Sequence, residues 1–281
     1  MIPVVEMFTS IQGEGKYTGV PSHFIRVNGC NLRCVFKDSI CDTPYSSFKP
    51  EDNIVDNVED LCMKFCELAA KNPSVKHIVI TGGEPLLYKK DLEKFIDRIY
   101  TPDKKITIET NGTLPTLDPA LYRSKVALYS VSPKLSSSVG KAPGTYGSMD
   151  VTKEMIDRHN KTRINIKNLI DIVLNSNDYQ FKFVYSGPGC VNEILDLYNQ
   201  MDEAILDYYL YNQTDEAILD YYSPFKYHMR HPNEHTMLMP EGVNNDQLAE
   251  RRKEIADICI KKGWTMTDRE HIIIWGSERM R

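Results

Sequence analysis

Six short apolar runs, rich in β-branched and aromatic residues, recur along this chain, each followed by Gly, Pro or Ser and then by helical periodicity. They are SHFIRV (22–27), HIVIT (77–81), ITIET (106–110), VALYSV (126–131), FKFVY (181–185) and TMLMP (236–240), with one further strand, VVEMF, ahead of them. Helices are predicted near 57–71, 89–100, 191–206 and 246–262. Strands alternating with helices specify an α/β fold with a parallel sheet, open or rolled into a partial barrel. Such sheets bind ligands at the carboxyl ends of their strands.

The chain's chemical motifs fall at those ends. CNLRC, with a third cysteine soon after, follows the first run; TGGEP follows the second, ETNGT the third, SPK the fourth and MPEG the sixth. Cys30, Cys34 and Cys41 have the spacing C-x3-C-x6-C. A structural zinc site is normally closed by four ligands, whereas three thiolates on a 4Fe–4S cluster leave one iron open to a substrate or cofactor. The loop by itself fits a cluster and a zinc site completed from elsewhere equally well. Convergence of the other motifs on the same rim favours the cluster. In TGGEP, two glycines let a ligand approach the backbone and offer N–H groups to a carboxylate.

Four other cysteines carry less. Cys62 and Cys66 share a helical face with Val58, Phe65 and Ala69 and read as core; Cys190 and Cys259 read as packing or surface residues. With 41% hydrophobic and 26% charged residues and a net charge of −5, the chain gives no electrostatic reason to bind nucleic acid or a membrane surface. The N-terminus lacks a basic segment followed by a long apolar one, and no apolar run reaches the ~18 residues of a membrane span. A reducing cytoplasm is expected, where clustered cysteines indicate metal or catalysis rather than disulfides.

EMFTSIQGEGKYTGVPSHFIRVNGCNLRC, CDTPYS, HIVITGGEPLL, IETNGT, VSPKLS and LMPEG together resemble the radical S-adenosylmethionine superfamily and, within it, the 7-carboxy-7-deazaguanine synthases. The resemblance implies a partial (β6/α3) barrel of the TIM type in a single domain, 1–281. Its core would be about 1–134, 181–198 and 235–275, with insertions at about 135–180 and 199–234. It implies that Cys30, Cys34 and Cys41 hold a 4Fe–4S cluster. Ile40, Cys41, Asp42, Gly83, Ser132, Pro133, Lys134, Met239, Pro240, Glu241 and Gly242 would contact S-adenosylmethionine. Ile11, Gln12, Gly13, Glu14, Arg26 and Thr81 would hold the substrate, with the Arg26 guanidinium suited to a carboxylate. Thr43 would offer its hydroxyl to Mg²⁺. The implied reaction is radical conversion of 6-carboxy-5,6,7,8-tetrahydropterin to 7-carboxy-7-deazaguanine with loss of ammonia, in 7-deazapurine (queuosine-type) biosynthesis. A flavodoxin or ferredoxin electron donor and a homodimer are implied likewise.

The chain departs from that family's pattern in several places. The second gap of the cysteine motif is six residues rather than the superfamily's usual two, a gap that other members of the synthase family also vary; Ile40 replaces an aromatic, Met239 replaces a common glutamine, and TMTDREHIIIWGSERMR matches little beyond His271. Segment 135–180 reads as surface. NQMDEAILDYY (199–209) and NQTDEAILDYY (212–222) form a tandem repeat offset by 13 residues. One straight helix would turn the second copy by roughly 220°, so a helix end or break is expected near 210–213. HMRHPNEH, with His228, His231 and His235, reads as a solvated loop. Two further readings stand beside the synthase: a radical activase that makes a glycyl radical on a partner protein, and a non-enzymatic iron–sulfur or zinc regulatory protein.

Overall fold

A computed structural model describes residues 1–37, 40–147, 149–211, 234–276 and 278–280. The main sheet has eight strands in the order β1 (Val4–Ile11), β2 (Pro21–Val27), β3 (His77–Gly82), β4 (Lys105–Thr110), β5 (Val126–Val131), β8 (Tyr179–Tyr185), β9 (Thr236–Pro240) and β10 (Thr265–Met266). β1 runs antiparallel to β2, and every other neighbouring pair is parallel. The six expected runs are β2, β3, β4, β5, β8 and β9, and VVEMF lies in β1. The curved sheet is not closed: among the described residues no ladder joins β1 to β10.

Side-chain alternation decides what each face of the sheet does. Ile25, Ile80, Ile108, Tyr129, Val131, Phe181, Phe183 and Leu238 belong to one buried apolar core. Their neighbours of opposite parity, Phe24, Arg26, Thr81, Glu109, Ser130, Lys182 and Met239, line a cavity on the concave side. Register sets Arg26 beside Thr81 and Glu109 beside Ser130. The core-facing side of the parallel strands is mostly apolar, with His23 packed edge-on against Phe65 as an exception, and the charged side chains Arg26, Glu109 and Lys182 all face the cavity.

The helices are α1 (Val58–Lys71), α2 (Lys89–Ile99), α3 (Pro119–Tyr122), α4 (Lys153–Thr162), α5 (Ile166–Asn175), α6 (Gly189–Tyr211), α7 (Asn245–Lys262) and α8 (Glu270–Trp275). The side chains of Asn57 and Asn244 cap α1 and α7 by accepting from Asp60 N and Gln247 N. Two expectations need correcting. Cys66 is exposed and Cys62 only partly buried, because the buried stripe of α1 is Val58, Leu61 and Phe65. A helix advances about 100° per residue, so residue 66 falls past the edge of a stripe centred on 61 and 65. Segment 135–180 is not all surface. After the β6 (Gly144–Tyr146) and β7 (Met149–Val151) hairpin and α4, the chain enters α5, whose Leu169 and Ile172 are fully buried. α5 packs on α6 and carries the crossover from β5 to β8. The expected break near 210–213 and the second repeat copy lie outside the described residues except at 210–211, where α6 still runs. His228 and His231 lie outside too, whereas His235 stacks on Tyr179 with ring centroids 4.2 Å apart.

Candidate active site

The concave face encloses a cavity of about 410 Å³. Of the residues expected at the site, every one lines this cavity except Pro133. A strand-end argument from sequence therefore gathers residues from 11 to 242 around one space.

The cysteine loop shows how a six-residue gap is accommodated. An antiparallel bridge pairs Val35 with Ile40, and Cys41 N donates to Cys34 O at 3.0 Å. The intervening residues thus leave and return at one point, which sets Cys41 beside Cys34. All three thiols are free. Burial pushes Cys30 up to about 11 and raises Cys34 and Cys41 as well, so protonated thiols are favoured until a metal supplies positive charge. Among the described residues no three His, Cys, Asp or Glu side chains are arranged to hold a single metal ion.

The N–H of Gly83 acts differently from the expectation. Gly83 N donates to Val27 O at 3.0 Å and Glu84 N to Gly29 O at 2.9 Å, so these N–H groups serve the protein rather than a ligand. A Cβ on Gly83 would lie 1.8 Å from Gly29 O; the glycine is needed because the β3 turn presses on the backbone of the cysteine loop. Glu84, fully buried, accepts from Leu86 N, Thr110 Oγ1 and Asn111 N at 2.7–3.0 Å and ties the β3 and β4 turns together.

The polar wall centres on Glu14. Lys182 and Arg269 both donate to its carboxylate, Arg269 at 2.9 Å. Burial by itself would raise the Glu14 pKa, but Lys182, Arg269 and His271 together hold it far below the usual carboxylate range. Arg269 also donates to Asp42 and to Gly242 O, the latter at 2.8 Å, and so joins the N-terminal loop, the cysteine loop and the loop after β9. Glu109 accepts from Thr81 Oγ1 at 2.6 Å and Gln12 Nε2 at 3.1 Å, with Lys182 Nζ at 3.8 Å. Arg26 donates Nε to Glu6 at 2.7 Å. Its terminal nitrogens have no hydrogen-bond partner among the described residues.

Two further features fit the expected cofactors. Glu241 lines the cavity, is 5% exposed, and has one carboxylate oxygen, Oε2, with no hydrogen-bond partner. Its nearest cation is Arg251, at 3.8 Å. The Thr43 hydroxyl lies 3.5 Å from the Asp42 carboxylate, giving two hard oxygen donors on the wall.

Lys182, Glu109, Arg269 and Glu6 were not anticipated from sequence. Lys182 and Glu109 carried a usable signal, since each is a charged residue at inward parity in an otherwise apolar strand. Arg269 and Glu6 carried none, because their roles depend on partners 255 and 20 residues away.

Comparison with known proteins agrees with this architecture. Residues 24–186 match the radical SAM superfamily. The 7-carboxy-7-deazaguanine synthase of Halobacterium salinarum is 34% identical over 274 residues, covering 98% of this chain and 90% of the relative. That of Rhodopirellula baltica is 33% identical over 276 residues, covering 98% and 87%. The crystal structure of QueE from Escherichia coli shares the fold with a TM-score of 0.52 at 21% identity, over 96% of this chain and 94% of that one. A partial radical SAM barrel, a three-cysteine loop at its mouth and nearly full-length relatives lead to one conclusion: the chain belongs to the 7-carboxy-7-deazaguanine synthase family of radical SAM proteins.

Proposed function

We propose that this chain converts 6-carboxy-5,6,7,8-tetrahydropterin to 7-carboxy-7-deazaguanine with loss of ammonia, using a 4Fe–4S cluster, S-adenosylmethionine and Mg²⁺. The observation that carries the reading is the meeting of the cysteine loop and the inward polar residues at one cavity, in a chain related to these synthases along almost its whole length. A 4Fe–4S cluster bound at this loop would supply reductive cleavage of S-adenosylmethionine, and with it the hydrogen-abstraction chemistry that the reaction needs.

The chain's own residues do the rest. Cys30, Cys34 and Cys41 would hold the cluster through their thiolates. Ile40, Asp42, Gly83, the run Ser132–Lys134 and the loop Met239–Gly242 position S-adenosylmethionine, with the unpartnered oxygen of Glu241 available to a hydroxyl or amine of that molecule. Ile11, Gln12, Gly13, Glu14 and Thr81 border the pterin, and the terminal nitrogens of Arg26 grip its carboxylate as a fork. Lys182 and Arg269 keep Glu14 ionised and fixed. Thr43 supplies an oxygen to Mg²⁺. The cavity walls keep a reactive intermediate from water. A flavodoxin or ferredoxin donor, a homodimer and a cytoplasmic setting complete the proposal. Among the described residues no helix is long and apolar enough to cross a membrane.

The test is anaerobic incubation of the reconstituted protein with reductant, S-adenosylmethionine, Mg²⁺ and the carboxypterin, with products read by mass. 7-Carboxy-7-deazaguanine and 5′-deoxyadenosine are expected together. 5′-Deoxyadenosine formed without the deazaguanine would transfer the chain to the activase reading, and bound metal without cleavage would leave a regulatory protein.

A further inference from the structure

The tail after α8 forms part of the cavity wall, through Gly276, Glu278, Arg279 and Met280. Arg279 lies with its guanidinium carbon 3.7 Å from the centroid of the Tyr45 ring. It donates Nε and Nη2 to Glu6 Oε1 at 2.9 and 2.6 Å. Nη1 and Nη2 also meet the two oxygens of Glu51 at 3.1 and 3.0 Å. The Glu51 contact is a solvated ion pair, but the Glu6 contact is more than that, because Glu6 is only 4% exposed.

Glu6 divides its two oxygens. Oε1 is taken by Arg279, while Oε2 accepts from Arg26 Nε at 2.7 Å and from Tyr45 OH at 3.3 Å. An arginine beside a carboxylate prefers to engage both oxygens. With Oε1 vacant, Arg26 would turn a terminal nitrogen onto Glu6 and lose the fork that faces the cavity.

We infer that Arg279 is a positioning residue for substrate recognition: by occupying Glu6 Oε1 it confines Arg26 to a single bond with Glu6 and leaves the terminal nitrogens of Arg26 for the substrate's carboxylate. The inference rests on the proposed function, in which Arg26 receives that group. It also sets a division of labour, in which Arg26 touches the substrate and Arg279 acts only through Glu6.

The experiment measures KM for the carboxypterin and for S-adenosylmethionine in the wild type, Arg279→Ala, Glu6→Gln and the double variant, all as reconstituted holoenzyme. Arg279→Ala is expected to raise the carboxypterin KM about tenfold, the worth of one weakened charge-assisted contact, with the S-adenosylmethionine KM unchanged. Adding Glu6→Gln should recover most of that loss, since a neutral amide competes poorly for Arg26; the two changes are then non-additive. Arg279→Lys, which keeps the charge but not the two-pronged contact, should fall between. Equal rises in both KM values, or a double variant worse than Arg279→Ala, would mean that the tail merely stabilises the fold and would overturn the inference. A wild type that makes no deazaguanine would instead refute the function beneath it, so the two failures are separable.

Discussion

Gly83→Ala is the sharpest test of how the site is built. The added methyl would sit 1.8 Å from Gly29 O and 2.4 Å from Gly29 C, both backbone atoms that no rotamer change can move. To restore an ordinary contact, the Gly29 carbonyl must retreat by more than about 1 Å. That movement strains Glu84 N→Gly29 O (2.9 Å) and Gly29 N→Ser46 O (2.8 Å), and Gly29 is joined directly to Cys30. Overpacking costs about 1–3 kcal/mol and each buried backbone bond about 1 kcal/mol, so a loss of about 3–5 kcal/mol follows. A domain near the middle of the ordinary range of ~5–15 kcal/mol survives this, but with its cysteine loop displaced. The assay is urea unfolding of the isolated protein together with iron bound per chain after anaerobic reconstitution. Both should fall. Gly144→Ala is the control, because a Cβ there meets nothing within 4 Å, and it should change neither. If Gly83→Ala unfolds at the wild-type urea concentration and binds its full complement of iron, the close approach of the β3 turn to the loop does not position the thiols.

Other outcomes follow from the same geometry. Alanine at Cys30, Cys34 or Cys41 should abolish visible cluster absorbance and 5′-deoxyadenosine formation together; retention of iron by all three variants would sink the cluster assignment. His77 is 3% exposed and bonded to Ser22 Oγ and Thr107 Oγ1, both at 2.8 Å. Burial, aided by Lys105 and opposed by Glu109, lowers its pKa to about 4 from 6.5. The unfolded chain therefore binds the extra proton first, and stability present above pH 6.5 is lost as pH falls toward 4, by about 3 kcal/mol. Urea midpoints across this range should slope less in His77→Gln, and an unchanged slope would refute the attribution. Lys182→Met leaves Glu14 with Arg269 as its remaining hydrogen-bonded cation and should cost about 3 kcal/mol. Adding Glu14→Gln should return part of that loss, and no recovery would argue against a paired charge at this position.

The six main strands were legible because each couples an apolar run to its own local punctuation, as in HIVIT followed by Gly-Gly. The cavity's cysteines and glycines were legible for the same reason: their spacing is local. α5 was missed inside a polar-looking segment, since only one of its faces, Leu169, Ile172 and Val173, is buried, and a ten-residue window with flanking asparagines reads as loop. That the Gly83 N–H is spent on Val27 O and its Cα is crowded by Gly29 was not legible, because Gly29 lies 54 positions earlier and sequence cannot show which backbone will lie against it. The wall residues Glu6, Arg269 and Arg279 were invisible for a related reason. A charged residue near a chain end is indistinguishable from a surface residue until its partner is known.

The gap between β1 and β10 is bridged by the segments that follow these two strands. Glu270 N donates to Gly13 O at 3.0 Å, Gly15 N to Thr267 Oγ1 at 2.7 Å, and Arg269 to Glu14. Contacts spanning about 250 residues carry a large loop-closure entropy, and rewards of that kind come late in folding. During synthesis the thiols therefore emerge well before the wall formed by Thr267, Arg269 and Glu270, and assembly of the metal group has a period of easy access that ends when this segment docks.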